Sequence, residues 1–125
     1  MKNNFLLIIL SIFFLIYSKS SVSNEFDIKS KQINILDNGN LVEAIGDVEV
    51  KTSDGLIIKG DISELNKDLN TLTVNGNVKI INKEKNLLIE SETIIYDKNK
   101  ELAFSEGTTR ASLKDGNYLI SKNLY

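Results

Sequence analysis

The stretch TLTVNGNVKI, residues 71–80, decides the fold. Leu72, Val74, Gly76, Val78 and Ile80 share one parity, and Thr71, Thr73, Asn75, Asn77 and Lys79 share the other. Side chains alternate across a strand with a period of two, so this is one strand with an apolar and a polar face. Gly-Asn stands at its middle. A glycine inside a strand marks a bend, a bulge or the close approach of another surface. Nearly the same phrase, AIGDVEV at 44–50, occurs thirty residues earlier.

Working outward, the same period of two runs from Asn24 onward. Turn clusters divide the chain at Asp37-Asn38-Gly39-Asn40, Ser53-Asp54-Gly55, Asn66-Lys67-Asp68, the segment from Asn82 to Asn86, Asp97-Lys98-Asn99-Lys100 and Lys114-Asp115-Gly116-Asn117. Gly and Asn tolerate positive φ, and Asp and Asn bond their own backbone, so these are turns for physical reasons. Seven strand candidates of about ten residues lie between them, rich in Ile, Val, Thr and Leu. No segment longer than a turn reads as a helix.

Val42, Ala44, Gly46, Val48 and Val50 form one inward row, with Glu43, Asp47 and Glu49 opposite. Leu56, Ile58, Gly60 and Ile62 form the next. Leu102 and Phe104 start another, and after Glu106 the parity slips to Gly107, Thr109 and Ala111, as at a β-bulge. Gly46, Gly76 and Gly107 recur at spacings of 30 and 31 residues, and so do Ser30, Gly60, Ser91 and Ser121. The unit is a two-strand hairpin with a small residue at a fixed inward place. Small residues at one level of every hairpin bend all strands together, so the sheet folds over along a line. We take Gly46, Gly60, Gly76, Ser91 and Gly107 as that fold line. A period of this length points to stacked repeats, with open ends.

The N-terminus is different. Lys2 precedes an apolar run from Phe5 to Tyr17 broken only by Ser11, and small residues follow at Ser18, Ser20, Ser21 and Ser23. This is the anatomy of a secretory signal peptide over residues 1–23. The run is shorter than the ~20 residues that span a bilayer. The mature domain is then 24–125. It keeps all 17 acids and 13 of the 15 bases, for a formal charge of −4. That balance is unsuited to gripping phosphates of nucleic acid, so no nucleic-acid partner is expected. The chain has no cysteine, so no disulfide supports it and no lipid-modified cysteine follows the leader.

Catalysis is hard to build from this composition. Without cysteine or histidine the common nucleophiles and bases are missing. Glu90 and Glu92 share a strand face, as do Asp47 and Glu49, but they lie opposite the apolar rows with lysines interleaved, as a solvated face does. The calcium-loop spacing is absent at Asp54-Gly55 and Asp115-Gly116. No enzyme activity, cofactor or metal is expected. What remains is the interior. Val48, Ile58, Val74, Val78, Ile89 and Phe104 are assigned to its lining. They could fill a small roll with their own side chains, or line a partly open apolar trough. Burying an acyl chain gives about 0.8 kcal/mol per CH₂, so such a trough could carry lipid without any catalytic residue.

The phrases A-x-G-D-V-x-V (Ala44 to Val50), V-N-G-N-V-K-I (Val74 to Ile80) and I-K-G-D (Ile58 to Asp61) resemble the repeat of the OstA-like, or LptA-like, lipopolysaccharide-transport family. The resemblance covers Phe26 to Tyr125. The family includes a periplasmic bridge protein and the N-terminal periplasmic domain of the outer-membrane assembly protein, LptD. It implies an antiparallel repeat β-jellyroll, folded like a taco, whose interior shelters the acyl chains of lipopolysaccharide. It also implies a periplasmic, outer-membrane-associated location, and edge-strand pairing with other jellyroll domains or head to tail with further copies. Leu124-Tyr125 ends inside a strand, as in the front piece of a longer assembly protein, whereas the lack of cysteine suits the bridge protein. The alternative of another class is a secreted structural β-solenoid with a filled core; a carbohydrate-active domain using surface acids is a third.

Overall fold

The structure, a computed structural model, describes residues 26–122. The signal-peptide reading of 1–23 and the terminal Leu124-Tyr125 lie outside the described residues. Nine strands follow one another: β1 (Phe26–Lys29), β2 (Gln32–Leu36), β3 (Leu41–Thr52), β4 (Leu56–Asn66), β5 (Thr71–Asn82), β6 (Leu87–Asp97), β7 (Leu102–Glu106), β8 (Thr109–Leu113) and β9 (Tyr118–Ser121). Each of the six turn clusters read from the sequence lies at a junction of two of them, with Asn66, Asn82 and Asp97 as the last residues of β4, β5 and β6. Asn38, Asn70 and Asn86 take positive φ there, as their short amide side chains allow.

All pairing is antiparallel, in one sheet that is not closed into a barrel. Its order is β1-β3-β4-β5-β6-β8-β9, with β2 also on β3 and β7 also on β6. The sequence suggests seven long strands because the first and sixth each break in two, at Ser30-Lys31 and Gly107-Thr108. Both breaks lie at the level of the bend. The four central strands run through it.

The bend has a defined construction. Ile45 pairs with Ile62 and Val48 with Gly60, so Gly46-Asp47 together oppose Asp61. Asn75 pairs with Thr93 and Val78 with Ser91, so Gly76-Asn77 together oppose Glu92. These are two-against-one bulges, which bend and twist the strand that carries them. Gly46 and Asp47 have φ of 80° and 49°, and Gly76 and Asn77 have 79° and 49°. Glycine is the residue that adopts the first of these without a Cβ penalty, and Asx tolerates the second. Aligned across the sheet, the bulges divide it into two leaves. Leaf A holds β1, the C-terminal halves of β3 and β5, the N-terminal halves of β4 and β6, and β8–β9. Leaf B holds β2, the remaining halves and β7.

The leaves close on one apolar core: Ala44, Val48, Val50, Ile58, Leu65, Leu72, Val74, Val78, Ile80, Ile94 and Tyr96. The all-β, antiparallel taco-like sheet expected from the sequence is therefore what forms. Three details differ. Gly46, Gly76 and Gly107 are not inward: a Cβ on them would meet Lys31, Asp61 and Glu92, which are exposed side chains. Of the glycines on the fold line only Gly60 approaches the interior, where a Cβ would collide with Cγ1 of buried Val74. Second, the parity slip is not at Glu106. It lies in the even strands, where the inward row moves from Ile58 and Gly60 to Ser63 and Leu65, and from Ile89 and Ser91 to Ile94 and Tyr96. Ile62, expected inward, is thereby turned out and is 42% exposed. Third, β7 presents Ala103 and Ser105 inward, because Ser105 pairs with Ile94. Phe104 and Leu102 lie on the outer parity.

Candidate functional site

The interior between the leaves is the feature that the fold builds. Val48, Ile58, Val74 and Val78 meet there, each at most 2% exposed. They pack on one another in the closed core, so a guest chain lies among these four only if the leaves part. Ile89 packs at the margin of the same core and is half-buried. Phe104 does not join them; it pairs with Ile95 on the other face. Leu72, Ile94 and Tyr96 complete the centre and were not among the lining residues read from the sequence. Leu72 shares the parity of Val74 in the opening stretch, which could have found it. Ile94 and Tyr96 were hidden by the parity slip in β6.

At the bend, hydroxyl groups join the leaves. Thr109 Oγ1 donates to Ser105 Oγ at 2.6 Å, and Ser91 Oγ lies 3.1 Å from Thr109 Oγ1. Ser91 of the expected fold line is thus a polar link between leaves as well as a small residue. Its register partners explain why: Ser91 pairs with Val78 on one side, and Thr109 continues the same level beyond it.

The two ends of the interior are unlike. At the N-terminal end, Phe26 of leaf A meets Tyr96 of leaf B edge to face, with ring centroids 6.1 Å apart. Nearby turns also touch: Lys98 Nζ donates to Ser53 Oγ at 3.0 Å, which joins the β6–β7 turn to the β3–β4 turn. At the C-terminal end nothing equivalent occurs among the described residues. Leaf B stops at β7, while leaf A continues through β8 and β9. The inward side chains there are Leu87, Ala111, Leu113 and Leu119, and with Asn117 they line an apolar hollow of about 240 Å³. Leu113 is 45% and Leu119 52% exposed. On leaf B the matching overhang is β2, whose inward Ile33 and Ile35 are exposed.

The outer face is charged and internally balanced. Lys31 Nζ lies 2.7 Å from Asp47, Lys59 3.0 Å from Glu49, and Lys79 3.1 Å from Glu90. The Lys31 ammonium donates to Asp47, holding that carboxyl below its ordinary range and raising its own pKa. Hydrogen bonding to Lys59 likewise holds the Glu49 carboxyl below its ordinary range, and hydrogen bonding to Lys100 that of Asp97. The carboxylates that share strand faces, Asp47/Glu49 and Glu90/Glu92, are therefore paired with lysines or, at Glu92, packed against Gly107. Among the described residues no three metal-ligating side chains converge, and no helix is long and apolar enough to cross a membrane.

The comparisons with known proteins bear on this geometry. The sequence model of a family described as OstA-like protein matches residues 23–124. No curated protein matches the chain.

Proposed function

The chain belongs to the OstA-like family, and from that membership we propose that it is a periplasmic lipopolysaccharide-binding module. In this reading it shelters acyl chains in the apolar interior of the folded sheet and passes lipopolysaccharide towards the outer membrane. The observation that carries the reading is the partly uncovered apolar interior. Phe26 and Tyr96 join the leaves at the mouth, while inward apolar residues stay exposed at both edges, Ile33 and Ile35 on β2 and Leu113 and Leu119 on leaf A. An open apolar end costs solvation unless something covers it, and a carrier has reason to keep one. Its partners would be lipopolysaccharide and further jellyroll domains paired to its edge strands. It needs no catalytic group.

A second reading has an observation of its own. The centre of the interior is filled, with Val48, Ile58, Val74 and Val78 packed on one another. That favours a purely structural domain. The antiparallel pairing of every strand argues against the solenoid form of that alternative, which winds parallel coils.

Photo-crosslinking with purified lipopolysaccharide separates the two. A photoreactive residue at Val78 or Ile89 traps the lipid if the leaves part to admit it, and one at outward Lys79 does not. Equal labelling at all three, or none anywhere on the chain, would leave the structural reading standing.

A further inference from the structure

Resting on the lipid-carrier reading, we propose that the C-terminal end of leaf A is a composite site for a phosphorylated acyl lipid. The acyl chain lies on Leu87, Leu113 and Leu119, and the phosphate sits between Lys83 and Lys114.

The site is two hollows sharing one wall. The inner one is the apolar hollow over Leu87, Ala111, Leu113 and Leu119. The second, of about 300 Å³, lies over the rim of the same leaf and is lined by Ile81, Leu87 and Leu88 with Lys83, Lys114, Asn82 and Asn86. Leu87 belongs to both. The turns that carry the lysines are fastened together, since the Lys114 backbone N–H donates to the Asn86 carbonyl at 3.2 Å. The β8–β9 turn is closed in addition by Leu113 N–H on the Asn117 carbonyl at 2.9 Å. Leu87 joins the inner apolar floor, over the rim of the leaf, to an outer notch over Ile81 and Leu88 that is lined by two lysines and two asparagines.

The two lysines of the notch are not engaged in the ion pairs that hold Lys31, Lys59, Lys79 and Lys100. Lys31, Lys59, Lys79 and Lys100 each have a carboxylate within 3.1 Å. Among the described residues neither Lys83 nor Lys114 has an ion-pair partner. Glu84 and Asp115 occupy the same turns but line neither hollow. An anion placed in the notch gains charge-assisted hydrogen bonds without displacing an existing pair. An acyl chain lying on the adjoining floor removes the exposed leucines from water. One ligand class meets both demands: a lipid with a phosphate next to its acyl chains. Lipopolysaccharide and glycerophospholipids both carry that group.

The test uses the mature chain at a concentration where sedimentation shows one copy, with leucine methyl resonances as the readout. Dioctanoyl phosphatidic acid should shift the methyls of Leu87, Leu113 and Leu119. Lys83→Gln with Lys114→Gln should weaken its binding by about tenfold, and should leave binding of uncharged dioctanoylglycerol unchanged. Both substitutions are in exposed turns, so the untouched methyl spectrum reports that the fold survives. A parallel arm with lipopolysaccharide distinguishes the sources. If phosphatidic acid binds at these leucines and lipopolysaccharide does not, the site stands and the transport reading falls. If lipopolysaccharide binds but shifts methyls elsewhere, the transport reading stands and this site is overturned. Equal weakening of the charged and uncharged lipids by the lysine substitutions overturns it too. So do methyl shifts that track protein concentration alone, which would mean that a second copy seats there.

Discussion

Phe26 and Tyr96 meet edge to face, their ring planes 84° apart, although they sit on opposite leaves and seventy residues apart in sequence. Phe26 is at the edge of leaf A, while Tyr96 is near the far side of leaf B. The leaves therefore cross at the mouth instead of eclipsing each other, as packed twisted sheets do. This crossing explains why the leaves meet at Phe26 and Tyr96 while two corners, at Ile33 and Ile35 and at Leu113 and Leu119, stay uncovered.

Tyr96 is 4% exposed, so Tyr96→Ala should destabilise the domain by about 3–5 kcal/mol. Phe26→Ala, at a half-buried edge, should cost less. The two should be coupled by about 0.5–1.5 kcal/mol in a double-mutant cycle measured by denaturant unfolding, the worth of an aromatic pair beyond its area. Strict additivity would mean that the rings do not hold the mouth shut.

The glycines on the bend should respond in two different ways. Gly60→Ala drives a Cβ into Val74, and overpacking of this kind costs about 1–3 kcal/mol. Val74→Ala in the same chain should make the added methyl cheaper, and a cycle of unfolding midpoints shows whether it does. Gly76→Ala instead strains a backbone at φ 79° and crowds the Asp61 carboxylate. Asp61→Ala should remove the clash with the carboxylate but leave the close Asp61 Cβ and the backbone strain, so rescue there is partial.

These two classes of glycine show where reading the sequence succeeded and where it stopped. Turn chemistry located six of the eight connections, since Asx and Gly announce positive φ directly, and missed the breaks at Ser30-Lys31 and Gly107-Thr108. The 30-residue recurrence located the bend. The faces beyond the bend were not legible in the same way. A two-residue bulge such as Gly46-Asp47 keeps the parity of its own strand and shifts that of its neighbour. So Ser63 and Tyr96 turn inward although the rows leading to them predict otherwise. In β7 the larger apolar residues, Leu102 and Phe104, drew the inward assignment, whereas the register set by Ile94 turns the small Ala103 and Ser105 inward. Pairing register is a property of two strands, and one strand's pattern does not contain it. The open leucine end was invisible for a related reason: it depends on how far each leaf extends, and strand breaks at Ser30 and Gly107 decide that.

The outer ion pairs predict a pH dependence of definite sign. Asp47, Glu49 and Asp97 have carboxyls held below their ordinary values by Lys31, Lys59 and Lys100. Groups of this kind stabilise the fold at pH above their unfolded values, and lose that contribution as pH falls through the folded ones. The raised pKa of Lys31 acts the other way: its share is present below the ordinary lysine value and is lost only in strong alkali. Thermal midpoints should therefore be flat through neutrality and fall on acidification below roughly pH 5. The pairs are solvent-exposed, so the fall should shrink in high salt. Asp47→Asn should shallow the acid limb slightly. A midpoint that rises on acidification would contradict the assignment.

The last prediction concerns the edges. A sheet that does not close has two open sides, which among the described residues run along β1 and β2 and along β7 and β9. Such edges pair with other chains unless proline, inward charge or a cover blunts them. The chain has no proline. Ile120 on β9 is 58% exposed and continues the outer row after Arg110, so β9 carries no device against pairing at that position. Joining β9 of one copy to β1 of the next is a contact between unlike edges, which does not close and gives open chains. The domain of residues 24–125 should therefore form linear oligomers as concentration rises, or dock end-on with a related jellyroll. Ile120→Pro removes a backbone donor at the edge without touching the core. It should lower the association seen by sedimentation while the thermal midpoint of the dilute, single-copy chain moves little. A wild-type chain that stays single at every concentration and ignores other jellyrolls would remove the bridge from the proposed function, leaving only a carrier that works alone.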